Sequence, residues 1–198
     1  IGVLGSTKGT DLQAVIDAVG KKKLNAKISV VISNKNDAYA LERAKIHKIR
    51  AVFIEPKGNR EEYDKEVAKA LDHNNIDLIL LIGYMRILSP WFVKKYKNKI
   101  MNIHPSLLPK YPGGMDLDVH KEVLKNKEKI TGCTLHFVDE SVDGGPIIMQ
   151  KEVKIEQNET PDSLKAKVQK AEREIIVKAV DLYEKGMIKV KGSEVLIE

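Results

Sequence analysis

The sequence has little cysteine, few aromatic residues and no long apolar run. Cys133 is the only cysteine in 198 residues, which excludes an internal disulfide framework and is compatible with the cytosol. Aromatic residues make up 5%, too few for the stacking platforms of single-stranded nucleic-acid binders. No run approaches the roughly 20 apolar residues of a membrane-spanning helix, and no signal peptide is recognisable. These absences predict a cytoplasmic protein with neither a membrane nor a nucleic acid as partner.

The composition is that of a globular chain, with 42% hydrophobic and 31% charged residues. The net charge of +6 favours anionic ligands such as nucleotides or phosphorylated metabolites. The lysines are scattered, however, and a scattered distribution is equally typical of a solvated surface. Charge alone therefore favours the solvated surface over a specific anion site.

Short β-branched runs alternate with longer amphipathic ones, which predicts an α/β protein with a mainly parallel sheet and helices on both faces. The predicted strands cover 1–5, 26–33, 51–55, 76–83, 99–104, 132–138 and 147–155. The predicted helices cover 10–21, 37–48, 60–74, 90–96, 117–126 and 161–185. The last helix is long, and a small hairpin around Gly192 is expected after it.

Three of the helices carry start signals in which a short polar side chain caps the first turn. The signals are Thr10 with Gln13, Asn59 with Glu62, and Thr160 before Pro161. Gly186 predicts the end of the long helix, because glycine is favoured just after a helix C-terminus.

The first segment with possible chemistry is 5–11, which follows the first strand and opens the first helix. Free backbone N–H groups at a helix N-terminus bind phosphate, and Lys8 could add positive charge. Asp11 argues against it, since a carboxylate repels a bound phosphate. An ordinary turn between strand and helix explains the segment equally well.

The second segment places Asn102 and His104 two residues apart at the end of an apolar strand, so that both side chains point the same way. Open α/β folds bind ligands at this edge of the sheet. An amide and an imidazole there could stabilise an oxyanion and move a proton. A hydrogen-bonded histidine at a polar strand end is the favoured alternative when nothing else is considered.

The third segment contains Asp143 in a Gly-Pro loop between two predicted strands. Such an aspartate is usually a turn former, but it could instead hold His104 as a cation from across a cleft. Cys133 is predicted to be a core residue. His47, His73 and His120 are predicted to lie on helix surfaces, and no metal-ligand spacing is found.

Several motifs in order resemble the folate-dependent formyltransferases, from residue 1 to about residue 190. The most specific are Asn-x-His-Pro-Ser-Leu-Leu-Pro at 102–109 and Asp-Gly-Gly-Pro at 143–146. Further matching segments lie at 12–16, 33–35, 83–88 and 132–138.

The resemblance implies a Rossmann-like formyltransferase fold in a single domain, 1–198. Its N-terminal half, about 1–100, would hold a nucleotide phosphate, and its C-terminal half, about 101–198, the folate and the catalytic groups. The implied reaction moves the formyl group of 10-formyltetrahydrofolate to the amine of glycinamide ribonucleotide in purine synthesis. No metal is expected, and the chain would act as a monomer or a homodimer.

The resemblance also implies roles for individual residues. Asn102, His104 and Asp143 would be catalytic. The acceptor substrate would contact Gly9, Thr10, Asp11 and Glu172. The folate would contact Arg60, Met85, Arg86, Ile87, Leu88, Asn102, Val138, Asp139, Glu140, Ser141 and Val142. Without the resemblance, Glu172 and Arg60 would be interpreted as solvent-facing helix residues, and 85–88 as a core-facing approach to a helix.

Two departures from the family pattern stand out. The turn at 6–11 is Ser-Thr-Lys-Gly-Thr-Asp where the family often has Ser-Gly-x-Gly-Ser-Asn, and the loop at 114–119 is longer than usual. Sister enzymes, methionyl-tRNA formyltransferase and formyltetrahydrofolate hydrolase, share the three catalytic residues but carry a further domain that 198 residues do not accommodate. A non-catalytic nucleotide-binding module is the alternative from another class.

Overall fold

The computed structural model describes residues 1–114 and 117–198. Met115 and Asp116, in the middle of the loop predicted to be longer than usual, lie outside the described residues. The described chain forms one seven-stranded sheet, six helices and a separate two-stranded hairpin. The predicted α/β class is therefore confirmed.

Every predicted strand and helix exists, with ends that differ by up to four residues. The sheet contains β1 (Gly2–Leu4), β2 (Val30–Ser33), β3 (Arg50–Phe53), β4 (Ile79–Leu81), β5 (Ile100–His104), β6 (Ile130–Phe137) and β7 (Ile147–Lys154). The helices are α1 (Thr10–Gly20), α2 (Tyr39–Ile46), α3 (Arg60–Asp72), α4 (Pro90–Lys95), α5 (Leu117–Lys125) and α6 (Pro161–Glu184). The hairpin consists of β8 (Ile188–Lys191) and β9 (Glu194–Ile197).

The strand order is β3-β2-β1-β4-β5-β6-β7, with β1 to β5 parallel and β6 and β7 antiparallel to their neighbours. The chain builds outward from β1 to β3 and then returns to place β4 on the other side of β1. Ligands bind at such a switch point, outside the carboxyl ends of the strands. The loops after β1, β4 and β5 meet there.

The long helix α6 covers the antiparallel side of the sheet and also packs against α1 and α5. Its inner face repeats apolar residues at helical spacing, as in Leu164, Val168, Ile175 and Ile176. Gly186 follows its end with φ of 69°, as predicted for a helix stop. The expected hairpin turns at Gly192, whose φ is 63°.

Two of the three predicted caps are confirmed. Asn59 and Glu62 form a reciprocal capping box at the start of α3. Thr160 caps α6, and its reciprocal partner is Ser163. The prediction for Thr10 was wrong: the cap position of α1 is Gly9, in the left-handed conformation, and no side chain of the described residues caps it. Thr10 is already inside the helix, so its hydroxyl cannot serve as the cap.

The prediction that His120 lies on the surface was also wrong, because only 1% of the residue is exposed. It shares the inner face of α5 with Val119 and Val123, and this face turns toward the core. His47 and His73 are exposed as predicted, and Cys133 is a buried free thiol. Among the described helices none is long and apolar enough to cross a membrane.

Candidate active site

Asn102 and His104 lie at the carboxyl end of β5, where they face β6 in an antiparallel pair. Asp143 belongs to the loop that joins β6 to β7 and adopts a positive φ of 54°. This loop returns across the end of β5 and brings the Asp143 Oδ2 atom 3.1 Å from the His104 Nδ1 atom. The contact that the hypothesis requires between these two side chains is therefore present.

The Asp143 carboxylate has several hydrogen-bond donors around it. Beside His104, the Gly113 backbone N–H donates to Oδ2 at 2.8 Å and the Asn102 amide donates to Oδ1 at 3.3 Å. Burial alone would raise the pKa of this carboxyl group. The hydrogen bond from His104, the charge of His104 and the Gly113 N–H together hold the Asp143 pKa well below its usual range. The carboxylate is therefore ionised throughout the physiological range.

The His104 imidazole faces an oxygen acceptor at each ring nitrogen. Nδ1 faces Asp143, and Nε2 lies 2.8 Å from the Tyr111 carbonyl oxygen. Both acceptors are satisfied together only when both ring nitrogens carry hydrogen, which is the cationic form of the ring. With 3% of the residue exposed, a positive charge on the ring would be shielded from water and opposed by Asp143.

His136 is part of this cluster, and the sequence reasoning gave it no role. Its Nδ1 donates to the Phe137 carbonyl at 2.9 Å, so that the neutral ring presents a lone pair at Nε2. That atom lies 3.2 Å from the Asn102 amide nitrogen and 3.6 Å from Asp143. The antiparallel register, which pairs 136 with 102, was the missing signal.

The orientation of the Asn102 amide follows from these neighbours. Its nitrogen points at both Asp143 Oδ1 and His136 Nε2, two acceptors that an amide oxygen would repel. Both amide hydrogens therefore have protein partners. The 3.3 Å hydrogen bond to Asp143 is longer than a typical N–H···O hydrogen bond. It is therefore the weaker of the two hydrogen bonds that the Asn102 amide makes.

The turn after β1 has the features of an anion site at the start of α1. Gly9 has φ of 64°, and a Cβ at this position would lie 3.1 Å from the Ala40 Cβ atom. The first-turn N–H groups of a helix have no partners within the helix, and at α1 no described side chain caps them. Thr10 and Asp11 contribute two of these groups, beside the exposed Lys8.

The Asp11 side chain is buried, with 5% of the residue exposed, and its Oδ1 atom has no hydrogen-bond partner among residues 1–114 and 117–198. Burial raises the pKa of Asp11 to about 6, and the charge of Arg173 on α6 opposes this increase. Arg173 also follows Glu172, so that α6 presents two charged residues near this turn.

Glu172 is buried, with 6% of the residue exposed. It therefore does not face solvent, as it would if it were an ordinary surface residue of the helix. Burial raises the pKa of the Cys133 thiol, and the charges of Glu172 and Asp11 raise it further. Both carboxyl groups therefore lie close to the same buried thiol of β6. The structure brings together the two acidic residues predicted for the acceptor site.

Two loops supply the residues predicted for the folate. After β4, Met85 and Ile87 are 38% and 54% exposed, whereas Leu88 is buried. After β6, Val142 is 53% exposed and Asp139 accepts a hydrogen bond from the Ser141 backbone N–H at 2.9 Å. The remaining predicted residues are the half-buried Arg86 and Val138, the exposed Glu140, and Arg60, exposed at the first turn of α3. Both loops therefore expose apolar side chains, namely Met85, Ile87 and Val142.

Within the described ranges, no group of three or more His, Cys, Asp and Glu side chains could hold a metal ion.

The model of one protein family, described as formyl transferase, matches residues 1–180. The chain belongs to the formyl transferase family. It is 40% identical over 190 residues to the phosphoribosylglycinamide formyltransferase of Escherichia coli K12, an alignment that covers 95% of this chain and 88% of that protein. The Haemophilus influenzae protein of the same name is also 40% identical, with 98% and 91% of the two chains covered.

Solved structures agree with this family assignment. The crystal structure of glycinamide ribonucleotide transformylase 1 from Symbiobacterium toebii superimposes with a TM-score of 0.95 at 37% identity, covering 99% of this chain and 92% of the other. The predicted Rossmann-like formyltransferase fold, with its long C-terminal helix and tail hairpin, is thereby confirmed.

Proposed function

We propose that this formyl transferase moves the formyl group of 10-formyltetrahydrofolate to the amine of glycinamide ribonucleotide, in the cytoplasm and as a step of purine synthesis. The observation that carries the proposal is the 3.1 Å pair of His104 and Asp143 beside Asn102, in a chain 40% identical to a protein named for this reaction. Both partners are small molecules, and the reaction needs no metal.

The reaction begins when the substrate amine attacks the formyl carbon and a new C–N bond forms. The carbonyl electrons move to oxygen, and the resulting oxyanion needs hydrogen-bond donors. The cationic His104 would supply one by exchanging its Tyr111 carbonyl partner for the formyl oxygen. Asn102 would supply the hydrogen that now forms the long bond to Asp143. One donor of this kind contributes roughly 3 kcal/mol to the transition state.

The intermediate then collapses as the bond between the formyl carbon and N10 of the folate breaks. N10 leaves with the bonding electron pair and takes a proton, which His104 is placed to relay. Asp143 keeps the imidazole charged and oriented, because its low pKa makes it a strong counter-ion and a weak base. The proton of the attacking amine would leave through water that Asp143 orients.

The acceptor would bind across the start of α1 and the face of α6. The backbone N–H groups of Gly9, Thr10 and Asp11 would donate hydrogen bonds to its phosphate, because the N–H groups at a helix N-terminus have no partners within the helix. Glu172, buried nearby, would accept hydrogen bonds from the ribose or glycinamide portion. The N-terminal half, about 1–100, would thus carry the phosphate, and the half at about 101–198 the reacting groups.

The folate would bind between the two exposed loops. Met85, Arg86, Ile87 and Leu88 would form one wall, and Val138, Asp139, Glu140, Ser141 and Val142 the other. The exposed Arg60 would attract the carboxylates of the folate tail. All of these residues come from one chain, so that either a monomer or a homodimer is compatible with the proposal.

One assay tests the proposal directly. The purified protein is mixed with glycinamide ribonucleotide and 10-formyltetrahydrofolate, and the release of tetrahydrofolate is followed together with formylated product. We expect release only when both substrates are present. Release without the amine would indicate a hydrolase, and no release with both substrates would refute the proposed function.

A further inference from the structure

The loop between β4 and α4 is anchored near both of its ends by side chains outside the described catalytic cluster. We call residues 85–89 the donor segment, since it contains the residues proposed for the folate. At one end, the Met85 backbone N–H donates to the Ser6 hydroxyl at 2.9 Å. At the other end, the Ser89 backbone N–H donates to the Asp64 carboxylate at 2.5 Å.

The Ser6 hydroxyl is used in both of its hydrogen-bonding roles. It accepts from Met85 and donates to the Asn34 Oδ1 atom at 2.5 Å, while 4% of the residue is exposed. The Ser6 backbone N–H also donates to the Gly83 carbonyl at 3.1 Å. Ser6 therefore connects the turn proposed for the acceptor phosphate with the beginning of the donor segment.

The Asp64 carboxylate is held in the interior at the other end. Asp64 is 1% exposed and Ser89 is 2% exposed, so their hydrogen bond is shielded from water. The Ser89 hydroxyl also accepts from the Phe92 N–H and caps α4. Next to this pair, the Arg86 guanidinium lies over the Tyr63 ring, 4.3 Å from its centroid. Tyr63 and Asp64, two consecutive residues of α3, thus both contact the donor segment.

We propose that Ser6 and Asp64 are positioning residues that hold the donor segment in the shape that binds the formyl donor. The inference rests on the proposed function, which assigns the folate to this segment. Met85 and Ile87 expose apolar side chains on a loop without regular secondary structure, so their placement depends on the backbone anchors. Loss of the Asp64 anchor leaves the buried Ser89 N–H unsatisfied, and loss of either anchor releases the loop.

The two anchors have different expected effects. The Asp64 carboxylate accepts its backbone hydrogen bond from the donor segment, so that its loss raises the KM for 10-formyltetrahydrofolate and leaves the acceptor KM unchanged. Ser6 also belongs to the turn at the start of α1, so that its loss raises both KM values. In both variants kcat at saturating substrate should fall by a smaller factor than the one by which KM rises, because neither residue touches the reacting atoms.

The test compares Asp64→Ala, Asp64→Asn and a matched control, Asp72→Ala, with the wild type. Asp72 lies on the same helix and accepts from the Tyr96 hydroxyl of the α4 C-terminus at 2.7 Å, away from the donor segment. The measurements are both KM values, kcat, the melting temperature and the Kd for tetrahydrofolate by calorimetry. Asp64→Ala should raise the donor KM and the Kd about tenfold. Asp64→Asn, which keeps an acceptor oxygen, and Asp72→Ala should stay within about twofold of wild type.

Each result has a distinct meaning. An unchanged donor KM in Asp64→Ala, or an equal increase in Asp72→Ala with the same fall in melting temperature, would overturn the inference. Should Asp64→Ala fail to fold, Ser6→Ala decides the matter, and an unchanged donor KM in that variant overturns it. A wild-type protein that binds no tetrahydrofolate would overturn the proposed function, and the inference with it.

Discussion

Two aspartates of this protein are withdrawn from water, and their pKa values move in opposite directions. Asp143 lies against His104 and receives hydrogen bonds from Gly113 and Asn102, and its pKa is held well below the usual range. Asp11 is buried at the start of α1 with one oxygen unpartnered among the described residues, and its pKa is raised to about 6. Burial penalises both charges, so the number of donors around each carboxylate decides the sign of the shift.

The difference has a structural origin. Asp143 lies in a loop that can fold back over the end of β5, where donors from several elements converge. Asp11 lies in the first turn of a helix, where the backbone N–H groups have no partners within the helix, and only the charge of Arg173 opposes the rise in its pKa. The carboxylate in the cluster proposed for catalysis and the one beside the proposed phosphate site therefore have pKa values shifted in opposite directions.

The largest expected effect comes from removing the cation that Asp143 holds. His104→Ala should lower kcat about a thousandfold, because one oxyanion donor and one proton relay are lost together. The far-ultraviolet circular dichroism should stay that of the wild type, since the residue is the last of its strand and the substitution removes no backbone hydrogen bond of the sheet. Turnover close to that of the wild type would contradict the mechanism.

Removing the negative charge at the other side of the pair should have the next largest effect. Asp143→Asn should lower kcat about a hundredfold and leave the Kd for tetrahydrofolate unchanged, since the imidazole loses its counter-ion. The lowered pKa of Asp143 contributes stability above the pKa of the unfolded carboxyl group, and that stability is lost as the pH falls through the folded value.

Loss of tetrahydrofolate binding in Asp143→Asn would instead assign Asp143 a structural role in the folate site. A variant that kept full turnover would show that the negative charge of Asp143 is not needed for catalysis.

Asp11→Asn should stabilise the protein at pH 8 by about 3 kcal/mol. The raised pKa means that the contribution of Asp11 to stability is complete below its usual pKa of 3.8 and is lost as the pH rises through about 6. The amide has no charge to desolvate, so its advantage should disappear at pH 4. Urea unfolding at both pH values measures the difference.

The exposed Asp17 of the same helix provides the control, because Asp17→Asn should change neither value. If the difference in unfolding free energy between Asp11→Asn and the wild type is the same at pH 4 and pH 8, the pKa of Asp11 is not raised by burial. The two aspartates would then not differ in the direction of their pKa shifts.

The smallest effect concerns His136, which contacts Asp143 only at 3.6 Å and acts mainly through Asn102. His136→Phe keeps a ring of similar size and removes one hydrogen-bond acceptor, so kcat should fall about fivefold, the size of one ordinary hydrogen bond. The exposed His47→Phe is the control. A fall as large as that of Asp143→Asn would place His136 among the groups that hold the charge.

Much of the fold could be predicted from short-range patterns. Apolar spacing and the caps at Asn59 and Thr160 depend on residues three or four positions apart, so they are visible in the sequence. The Thr10 cap was wrong because the left-handed conformation of Gly9 starts α1 one residue earlier than a threonine cap would. The prediction that His120 lies on the surface was wrong because the pattern of a single helix does not show which of its sides neighbouring elements bury.

The residues proposed for catalysis, Asn102, His104 and Asp143, were found from their motifs, and their roles remain predictions. Their geometry could not be obtained in the same way, because the distance from 104 to 143 depends on how a loop crosses a strand end. The same holds for the two anchors of the donor segment, which join residues 79 and 25 positions apart.

The order of strands and helices along the chain, the starts of most helices and the chemical types available at the sheet edge depend on neighbouring residues, so they could be predicted from the sequence. Which side chains meet depends on the tertiary structure, as with His136 against Asn102 and Asp64 beneath Ser89. The tertiary structure also decided that the pKa of Asp11 is raised while that of Asp143 is lowered. Hydrogen-bond partners and dielectric surroundings come from distant parts of the chain, and no local pattern records them.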